Sequence, residues 1–326
     1  FLDIEKLISI ALATGSDALH PGYGFLAENA YFAQKCLDNN LNFIGPTPDA
    51  IYKMGNKTIA RRLAMQNGIP LAMGSDGNIS DEEEAVAMAE KIGYPVIIKA
   101  ASGGGGRGMR IVRDEVEMVK MFSVASREAE KAFKDPSVFI EKYIENPKHI
   151  EFQILGDKKG NIIHLGEREC SIQRKHQKLL EEAPSVALDP SLRKKMGSMA
   201  VRIAKAVKYL SAGTVEFLLD SEKNFYFMEM NTRIQVEHPV TEIVTGIDLI
   251  EQQIRIANGE ELKYRQSDIK INGWAIECRI NAEDVQSGFA PDPGRIEKLS
   301  MPDYPYIRVD TGIREGSAIV ASYDSM

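Results

Sequence analysis

Five polar residues that could do chemistry recur at every second position of one short segment. They are Glu229, Asn231, Arg233, Gln235 and Glu237. Because an extended chain points alternate side chains to one face, this spacing predicts a single row of carboxylates, amides and a guanidinium. The alternate positions predict an opposite face that packs on a core: Met228, Met230, Ile234 and Val236. A merely solvated strand would carry Lys, Thr and Ser in arbitrary order, so we interpret the row as the wall of a binding site.

A hairpin that ends in this row predicts a metal site. Residues 213–219 and 225–230 flank a polar turn, and we expect the hairpin they form to set Glu216 opposite Glu229. Directly opposed residues have Cβ atoms about 5 Å apart, where two carboxylates repel unless a cation lies between them. With the amide oxygen of Asn231, these ligands suit Mg²⁺ or Mn²⁺. The alternative is a pair of surface glutamates in a weak register.

The glycine run Gly103–Gly108 also satisfies the G-x-G-x-x-G spacing of dinucleotide-binding folds. That fingerprint requires a helix directly after the loop, whereas Met109–Val112 is typical of a strand. A Walker A loop is excluded because no Gly-Lys-Ser/Thr follows. The run therefore predicts a hairpin tip whose backbone N–H groups close over phosphates. Lys99 ends the apolar strand before it, where a buried charge needs a partner such as a phosphate. The residues alone leave Lys57 open as a solvated charge.

The pattern of helices and strands predicts four regions. Residues 1–46 read as the end of an α/β domain with a β-α-β unit, and residues 47–70 as a helical linker. Residues 71–143 predict a compact α+β lid that contains the glycine run. Residues 144–326 predict hairpins, two helices and a last mixed segment, which together form the catalytic part. The predicted fold class is therefore α/β combined with α+β.

Composition and termini narrow the function classes. The 326 residues carry 40 basic and 47 acidic side chains, a net charge of −7, which argues against a general nucleic-acid or membrane surface. The sequence contains no run of about eighteen apolar residues, which a membrane-spanning helix would need. Cys36, Cys170 and Cys278 form no CxxC pair, which predicts reduced thiols in a cytosol-like compartment. The start at Phe1 and the end at Met326 predict a fragment cut at both ends.

Six segments resemble one known family in order along nearly the whole chain: His20–Asn29, Ile98–Gly108, Glu141–His149, Glu167–Lys178, Glu229–Pro239 and Glu277–Glu283. They resemble biotin carboxylase, a member of the ATP-grasp superfamily. The resemblance implies an ATP-grasp fold with a partial N-terminal α/β domain, a glycine-loop lid and a C-terminal mixed-sheet domain. It also implies that the family's opening strand and helix, and the part after Met326, are missing.

The resemblance implies site residues by position. Nucleotide contacts are implied at Lys57, Lys99, Gly105, Gly106, Glu141, Lys142, Tyr143, Ile144, His149, Gln173, His176, Glu216 and Glu229, with residues 141–144 as a hinge that binds adenine through its backbone. A pocket for bicarbonate and biotin is implied at Lys178, Arg233, Gln235, Val236 and Arg308. Metal ligands are implied at Glu216, Glu229 and Asn231. Catalytic roles are implied for Lys178, Arg233, Glu237 and Arg308, with Glu237 as general base and Arg308 as the partner of the biotin enolate.

The activity implied by the resemblance is the ATP- and bicarbonate-dependent carboxylation of biotin N1 on a carrier protein, through carboxyphosphate. This is the first half-reaction of a biotin-dependent carboxylase, with Mg²⁺ or Mn²⁺ bound beside ATP. Implied partners are the biotin carboxyl carrier protein and a carboxyltransferase, without nucleic acid or membrane, and the full-length chain would be a homodimer. The implied compartment is the cytoplasm, or the mitochondrial matrix in a eukaryote.

Two alternatives stay open at this point. Another ATP-grasp ligase, such as the carbamoyl-phosphate synthetase large subunit or a purine-pathway carboxylase, would share the lid and the metal hairpin. The segments 233–238 and 173–178 favour biotin over these. An inactive nucleotide-binding module is the second alternative, because truncation removes core packing. The acyl acceptor of the parent enzyme is not specified by these residues.

Overall fold

The computed structural model of the protein describes residues 1–75, 77–79, 81–100, 109–175, 177–321 and 325–326. A parallel β-α-β unit opens the chain, as the sequence predicts. Its elements are α1 (Ile4–Ala13), β1 (Ala18–Leu19), α2 (Ala30–Asp38) and β2 (Asn42–Phe43), and β1 pairs in parallel with β2. The side chain of Asn29 accepts a hydrogen bond from the Phe32 amide, and this cap sets the start of α2.

Two short helices follow, α3 (Pro48–Gly55) and α4 (Lys57–Gln66). The Thr47 hydroxyl accepts a hydrogen bond from the Ala50 amide and so caps α3. Asn56 caps α4 in the same way. Lys57 is the first residue of α4, so the Asn56 cap fixes the position of the Lys57 backbone from which its side chain extends.

A small antiparallel sheet covered by two helices forms the third region. Its elements are α5 (Glu82–Ile92), β3 (Val96–Ala100), β4 (Arg110–Val112), α6 (Glu115–Phe133) and β5 (Val138–Lys142), with strand order β4-β3-β5. A cluster of buried side chains that includes Ile98, Met118 and Ile140 joins the sheet to both helices. Residues 101–108, which hold the predicted glycine loop, lie outside the described residues.

A six-stranded antiparallel sheet carries most of the remaining chain, in the order β10-β9-β6-β7-β8-β11. The strands are β6 (Lys148–Gly156), β7 (Ile162–Arg174), β8 (Gln177–Ala183), β9 (Ser211–Leu219), β10 (Phe225–Asn231) and β11 (Ala275–Cys278). The helices are α7 (Pro190–Ala206), α8 (His238–Thr245) and α9 (Leu249–Ala257). Phe152, Phe217 and Ile203 are fully buried between this sheet and α7. Phe152 and Phe217 meet edge to face at 6.2 Å.

The last residues form only short pairs of strands, β12 (Glu283–Asp284) with β13 (Ala290–Pro291) and β14 (Gly294–Arg295) with β15 (Ala318–Ile319). Many apolar side chains here face solvent, and Trp274 is 72% exposed. All three cysteines are free. Among the helices of the described ranges, none has the length and apolarity needed to cross a membrane.

The prediction of one extended row from residue 229 to 237 is wrong. Strand β10 ends at Asn231, the chain then turns, and Glu237 is the cap residue of α8. The physical reason is that the Thr232 amide leaves the sheet and donates to Glu28 Oε1 at 2.9 Å, while Pro239 favours a helix start. Met230 and Ile234 are buried as predicted, whereas Met228 and Val236 are only half-buried.

Candidate active site

The Lys178 ammonium group is the centre of the site. It lies 2.6 Å from Glu151 Oε2, 3.0 Å from Glu216 Oε1 and 2.7 Å from Glu237 Oε1. These carboxylates come from β6, β9 and the start of α8, so three elements converge on one residue of β8. Burial opposes the charge of Lys178, but the carboxylates outweigh it and raise its pKa well above the ordinary value. The sequence predicted Lys178 and two of its partners as site residues but did not predict Glu151.

Arg168 holds the walls of this site together. Its side chain is completely buried, and a guanidinium offers five N–H donors in a fixed plane. It donates at distances of 2.6 to 3.1 Å to Glu151, Gln153, Thr214, Gln235 and Thr241. Because Gln235 is one of the acceptors, Arg168 fixes the amide that the sequence predicted for bicarbonate. The resemblance segment Glu167–Lys178 contained Arg168, but nothing in the local pattern predicted its contacts.

The predicted register of the hairpin is confirmed, since Glu229 pairs directly with Glu216 across β10 and β9. A β-bulge at Met228 accommodates this pairing. Glu216 accepts from Asn231 Nδ2 at 2.7 Å and from Gln235 Nε2 at 3.0 Å, besides its contact with Lys178. Burial would raise the pKa of Glu216, but Lys178 and His149 outweigh it and lower the pKa well below its ordinary range.

Glu229 has a different electrostatic environment. Burial and the neighbouring charge of Glu216 raise its pKa, and Lys57 offsets only part of this effect. A buried carboxylate pair with too little positive charge fits a divalent cation, which would bind oxygen ligands from both residues. Asn231 presents its amide nitrogen to Glu216 and its oxygen to Arg233 at 3.2 Å. Its predicted role as an oxygen ligand therefore requires the opposite amide orientation.

Glu237 lies between two cations, Lys178 and Arg279, whose guanidinium is 2.9 Å from Glu237 Oε2. Burial would raise the pKa of Glu237, but these charges and that of Arg168 lower it to about 2. The carboxylate is thus ionised at neutral pH and is a weak base while both cations contact it. Its predicted role as general base requires a bound anion that draws at least one cation away.

The structure separates the two arginines that could face biotin. Arg308 donates to Glu242 at 2.6 Å and to Asp310 at 2.9 Å, and its side chain is 39% exposed. No contact joins it to Lys178, Gln235 or Glu237 in the described parts of the chain. The predicted place of Arg308 in the pocket is therefore wrong, because its guanidinium pairs with Glu242 on α8 and with Asp310 instead. Arg279 occupies that place instead, on the chain directly after β11. Arg279 lies in the resemblance segment Glu277–Glu283, which could have identified it.

Arg233 joins the site to the N-terminal region. Its Nε donates to Glu28 Oε2 at 2.9 Å, and its NH1 group donates to the carbonyl of Ile234 at 3.1 Å. Glu28 was part of the resemblance segment His20–Asn29, but its contact spans more than two hundred positions, which local spacing does not predict. Val236, next to the predicted pocket, lies in the turn before α8 and is half-buried.

Cations and Glu141 form the predicted nucleotide side of the site. Glu141 pairs with Arg61 and lies 2.5 Å from Lys99 Nζ. Burial, with the nearby charges of Lys57 and Arg61, lowers the pKa of Lys99 to about 8. Burial also lowers the pKa of Lys57. Lys57, Lys99 and Arg61 thus bring more positive charge together than Glu141 alone balances, which suits a phosphate-binding surface.

The structure describes some of the remaining residues that were predicted to contact the nucleotide. His149 Nε2 lies 3.0 Å from Glu216, and Gln173 Nε2 lies 3.1 Å from His149 Nδ1, so both sit beside the carboxylate pair. Burial opposes the protonation of His149, but Glu216 outweighs it and raises the pKa. In the predicted hinge, the amides of Lys142 and Tyr143 donate to the carbonyls of Met73 and Pro95, which removes these two donors from adenine. Ile144 is half-buried, and Gly105, Gly106 and His176 lie outside the described residues.

Comparison with known proteins agrees with this geometry. Three family models match: the biotin carboxylase N-terminal domain over residues 1–51, the carbamoyl-phosphate synthase L chain ATP-binding domain over 56–265, and the biotin carboxylase C-terminal domain over 277–326. The chain is 55% identical to biotin carboxylase 1 of Bacillus subtilis, where it covers 73% of the relative. It is 54% identical to the chloroplastic biotin carboxylase 2 of Populus trichocarpa and spans 62% of that length. Each alignment covers the whole of this chain.

Solved structures match as closely. The biotin carboxylase domain dimer of the 2-oxoglutarate carboxylase from Hydrogenobacter thermophilus, in complex with MgADP, ADP and bicarbonate, has a TM-score of 0.96 at 54% identity. A biotin carboxylase–β-γ-ATP complex from Campylobacter jejuni has a TM-score of 0.97 at 48% identity. Both comparisons cover 100% of this chain and 72% of the other. These neighbours show the predicted ATP-grasp fold. The chain belongs to the biotin carboxylase family.

Proposed function

We propose that the protein of which this chain is a part carboxylates biotin at N1 with ATP and bicarbonate, through carboxyphosphate. One observation carries the proposal. Lys178 and Arg279 converge on Glu237, which creates an anion site, and the opposed pair Glu216 and Glu229 beside it suits a divalent cation. A reaction between bicarbonate and a metal-bound nucleotide needs these two sites side by side.

The residues of the chain then have definite roles. Lys178, Arg233, Gln235 and the Val236 amide hold bicarbonate, and its negative charge draws Lys178 from Glu237. Glu237, relieved of one cation, accepts the bicarbonate proton. The bicarbonate oxygen forms a bond to the γ-phosphorus as the bond to the ADP oxygen breaks, which gives carboxyphosphate and ADP. Bound at Glu216 and Glu229, with Asn231 as a further ligand, Mg²⁺ or Mn²⁺ would neutralise phosphate charge.

Carboxyphosphate next breaks into CO₂ and phosphate, and the phosphate takes the N1 proton of biotin. N1 then forms its new bond to the carbon of CO₂. Arg279 stabilises the enolate oxygen of the deprotonated ureido ring, because a fixed guanidinium is an oxyanion donor. Arg279 thus takes the role that the sequence predicted for Arg308.

Nucleotide recognition is the second part of the proposal. Lys57 and Lys99 neutralise phosphates, and a bound phosphate would favour the charged forms that burial opposes in both lysines. His149 and Gln173 reach the nucleotide from β6 and β7. Residues 141–144 contact adenine through backbone groups other than the amides of Lys142 and Tyr143, which are already paired. Gly105, Gly106 and His176 complete the proposed contacts. The ranges 1–46, 47–70, 71–143 and 144–326 are proposed as the N-terminal domain, linker, lid and catalytic part.

Partners and compartment follow from the same reaction. A biotin carboxyl carrier protein would present biotin, a carboxyltransferase would use the product, and the full-length protein would be a homodimer. Relatives named as subunits of other carboxylases support this, among them the alpha chain of human mitochondrial propionyl-CoA carboxylase. Free cysteines support a reducing compartment such as the cytoplasm, or the mitochondrial matrix in a eukaryote.

A kinetic assay on the full-length protein tests the proposal. ADP release should depend on bicarbonate, and free biotin should accelerate it and become carboxylated. Arg279→Met should reduce biotin carboxylation by roughly a hundredfold or more, as the loss of an oxyanion donor does, and by much more than Arg308→Met. Carbamoyl phosphate formed from ammonia, or ATP binding without any turnover, would overturn the proposal in favour of the two alternatives.

A further inference from the structure

A second pair of opposed glutamates lies behind the proposed biotin-facing arginine. Glu277 on β11 pairs directly with Glu181 on the antiparallel strand β8. One oxygen of each, Glu181 Oε2 and Glu277 Oε2, is buried and has no hydrogen-bond partner in the described parts of the chain. Two ionised carboxylates in this position would repel, and buried acceptors without donors are costly.

The surrounding charges do not compensate Glu277. Arg279 Nε donates to Glu181 Oε1 at 2.8 Å and its NH2 group donates to Glu237 at 2.9 Å, so its guanidinium serves those two carboxylates. Arg168 lies farther inside the sheet, where it donates to Glu151 and its neighbours. The groups that act electrostatically on Glu277 are Glu181, Glu237, Arg279 and Arg168. Negative charge therefore exceeds the positive charge that is free to pair with it.

We propose that Glu277 is a positioning residue that keeps a proton at neutral pH and shares it with Glu181, so that Arg279 stays directed at Glu237 and the biotin pocket. With one shared proton, the Oε2 oxygen of Glu277 can donate a hydrogen bond and the Oε2 oxygen of Glu181 can accept it, so both oxygens gain a partner. The inference deepens the proposed function and rests on it only for the role of Arg279. Burial and the charges of Glu181 and Glu237 raise the pKa of Glu277 to about 8, which agrees with this geometry.

Loss of the proton has a defined consequence. Above this pKa, the ionised Glu277 attracts the guanidinium of Arg279 and repels Glu181, so Arg279 moves away from Glu237. Because the pKa is raised above its unfolded value, the folded state binds more protons between these two values. The contribution of Glu277 to stability is thus complete at low pH and is lost as pH rises toward about 8.

Infrared difference spectroscopy on the full-length protein tests the protonation without any need for activity. The C=O band of a protonated carboxyl group should titrate with a midpoint near pH 8 and should be absent from Glu277→Gln. Glu181→Gln should keep the band and shift its midpoint to lower pH, because the charge of Glu181 raises the pKa of Glu277. A midpoint that does not move overturns the shared proton. Glu283→Gln, a nearby glutamate paired with Arg174, is the matched control and should leave the band unchanged.

The pH profile of biotin carboxylation at saturating ATP tests the positioning role. In the parent protein, kcat/KM for biotin should fall by roughly tenfold per pH unit above the midpoint, as the loss of one required proton gives. Glu277→Gln imitates the protonated form and should remove this fall. Identical profiles, or the absence of the band, overturn the inference. An enzyme that shows the band but never carboxylates biotin would instead overturn the proposed function.

Discussion

At the scale of single residues, the site is a balance of buried charges. Lys178 contacts three carboxylates, and Arg168 fixes the groups around one of them. Arg279 contacts another of the three, Glu237, and adds a fourth carboxylate, Glu181. Glu229 lies beside this set and lacks such a partner among the described residues, since burial and Glu216 both raise its pKa and Lys57 offsets only part of the rise. This imbalance distinguishes a carboxylate that awaits a cation from one that already has its partner.

Replacement of Glu229 by Gln should therefore have opposite effects on stability and activity. Removal of the repelling charge should raise Tm of the metal-free protein by roughly 1–2 °C, since 1 kcal/mol corresponds to about 2–4 °C in chains of about 150–250 residues and to less in a longer chain. Activation of ATP cleavage by Mg²⁺ should fall by about a hundredfold or more. Calorimetry and a Mg²⁺ titration of ADP release measure the two effects.

Glu222→Gln is the matched control, because Glu222 lies exposed in the turn of the same hairpin. It should change neither quantity. Normal Mg²⁺ activation in Glu229→Gln would contradict the proposed metal site.

At the scale of elements, short segments position the functional groups through close contacts. Residue 74 forms a bridge to Glu141 on β5, beside the Arg61 and Lys99 cations. A Cβ at Gly74 would lie 2.7 Å from the Ile140 carbonyl oxygen and 3.1 Å from atoms of Arg61 and Glu141. Only glycine therefore allows this segment to approach the edge of the lid sheet.

Gly74→Ala should displace β5 and the Glu141 ion pairs. The added methyl group would meet the Ile140 carbonyl and the paired side chains of Arg61 and Glu141, which have little room to move. We therefore expect the unfolding free energy to fall by about 1–3 kcal/mol. KM for ATP should rise by about tenfold, which corresponds to a loss of about 1.4 kcal/mol in the free energy of ATP binding. KM for bicarbonate should stay within about twofold. Chemical denaturation and steady-state kinetics measure these effects.

Gly77→Ala provides the comparison, since a Cβ there meets no atom of the described residues within 4 Å. This variant should resemble the parent protein in both measurements. Equal behaviour of the two variants would refute the argument from close approach.

At the scale of the whole molecule, the N-terminal region completes the site. Glu28 accepts from the Thr232 amide and from Arg233 Nε, both at 2.9 Å, and His20 lies 3.2 Å from Gln253. Arg233 is thus oriented by a residue of another region. This contact explains why the polar segment after β10 turns instead of continuing the sheet.

Glu28→Gln should keep an acceptor for the Thr232 amide but lose the charge that orients Arg233. The pair is partly exposed and contributes little to stability, so the variant should fold. We expect KM for bicarbonate to rise by roughly tenfold, with KM for ATP nearly unchanged, in an assay of bicarbonate-dependent ADP release.

Glu5→Gln, which removes the exposed partner of Lys35 in the same region, controls for a general effect of lost charge. It should leave both constants unaltered. An unchanged bicarbonate KM in Glu28→Gln would contradict the role given to this contact.

Much of the fold was predictable because local spacing determines it. The caps Thr47 and Asn29, the β-α-β unit and the elements of the lid depend on residues a few positions apart. The hairpin that carries Glu216 and Glu229 was also predictable, since it joins neighbours in the chain, whereas the β-bulge at Met228 that sets the two residues opposite each other was not. These features follow from steric and hydrogen-bonding preferences that act within one or two turns of chain.

The sequence by itself thus determined the chemistry that this protein carries: two opposed carboxylates, a central lysine and a family of motifs in order. Only the tertiary structure decided that Arg279 rather than Arg308 contacts Glu237, and that the row bends after Asn231. It likewise decided that Arg168 and Glu28 fix the walls of the site. The physical reason is that these contacts join residues far apart in the chain, so their geometry depends on how whole elements pack and on which buried charges find a partner.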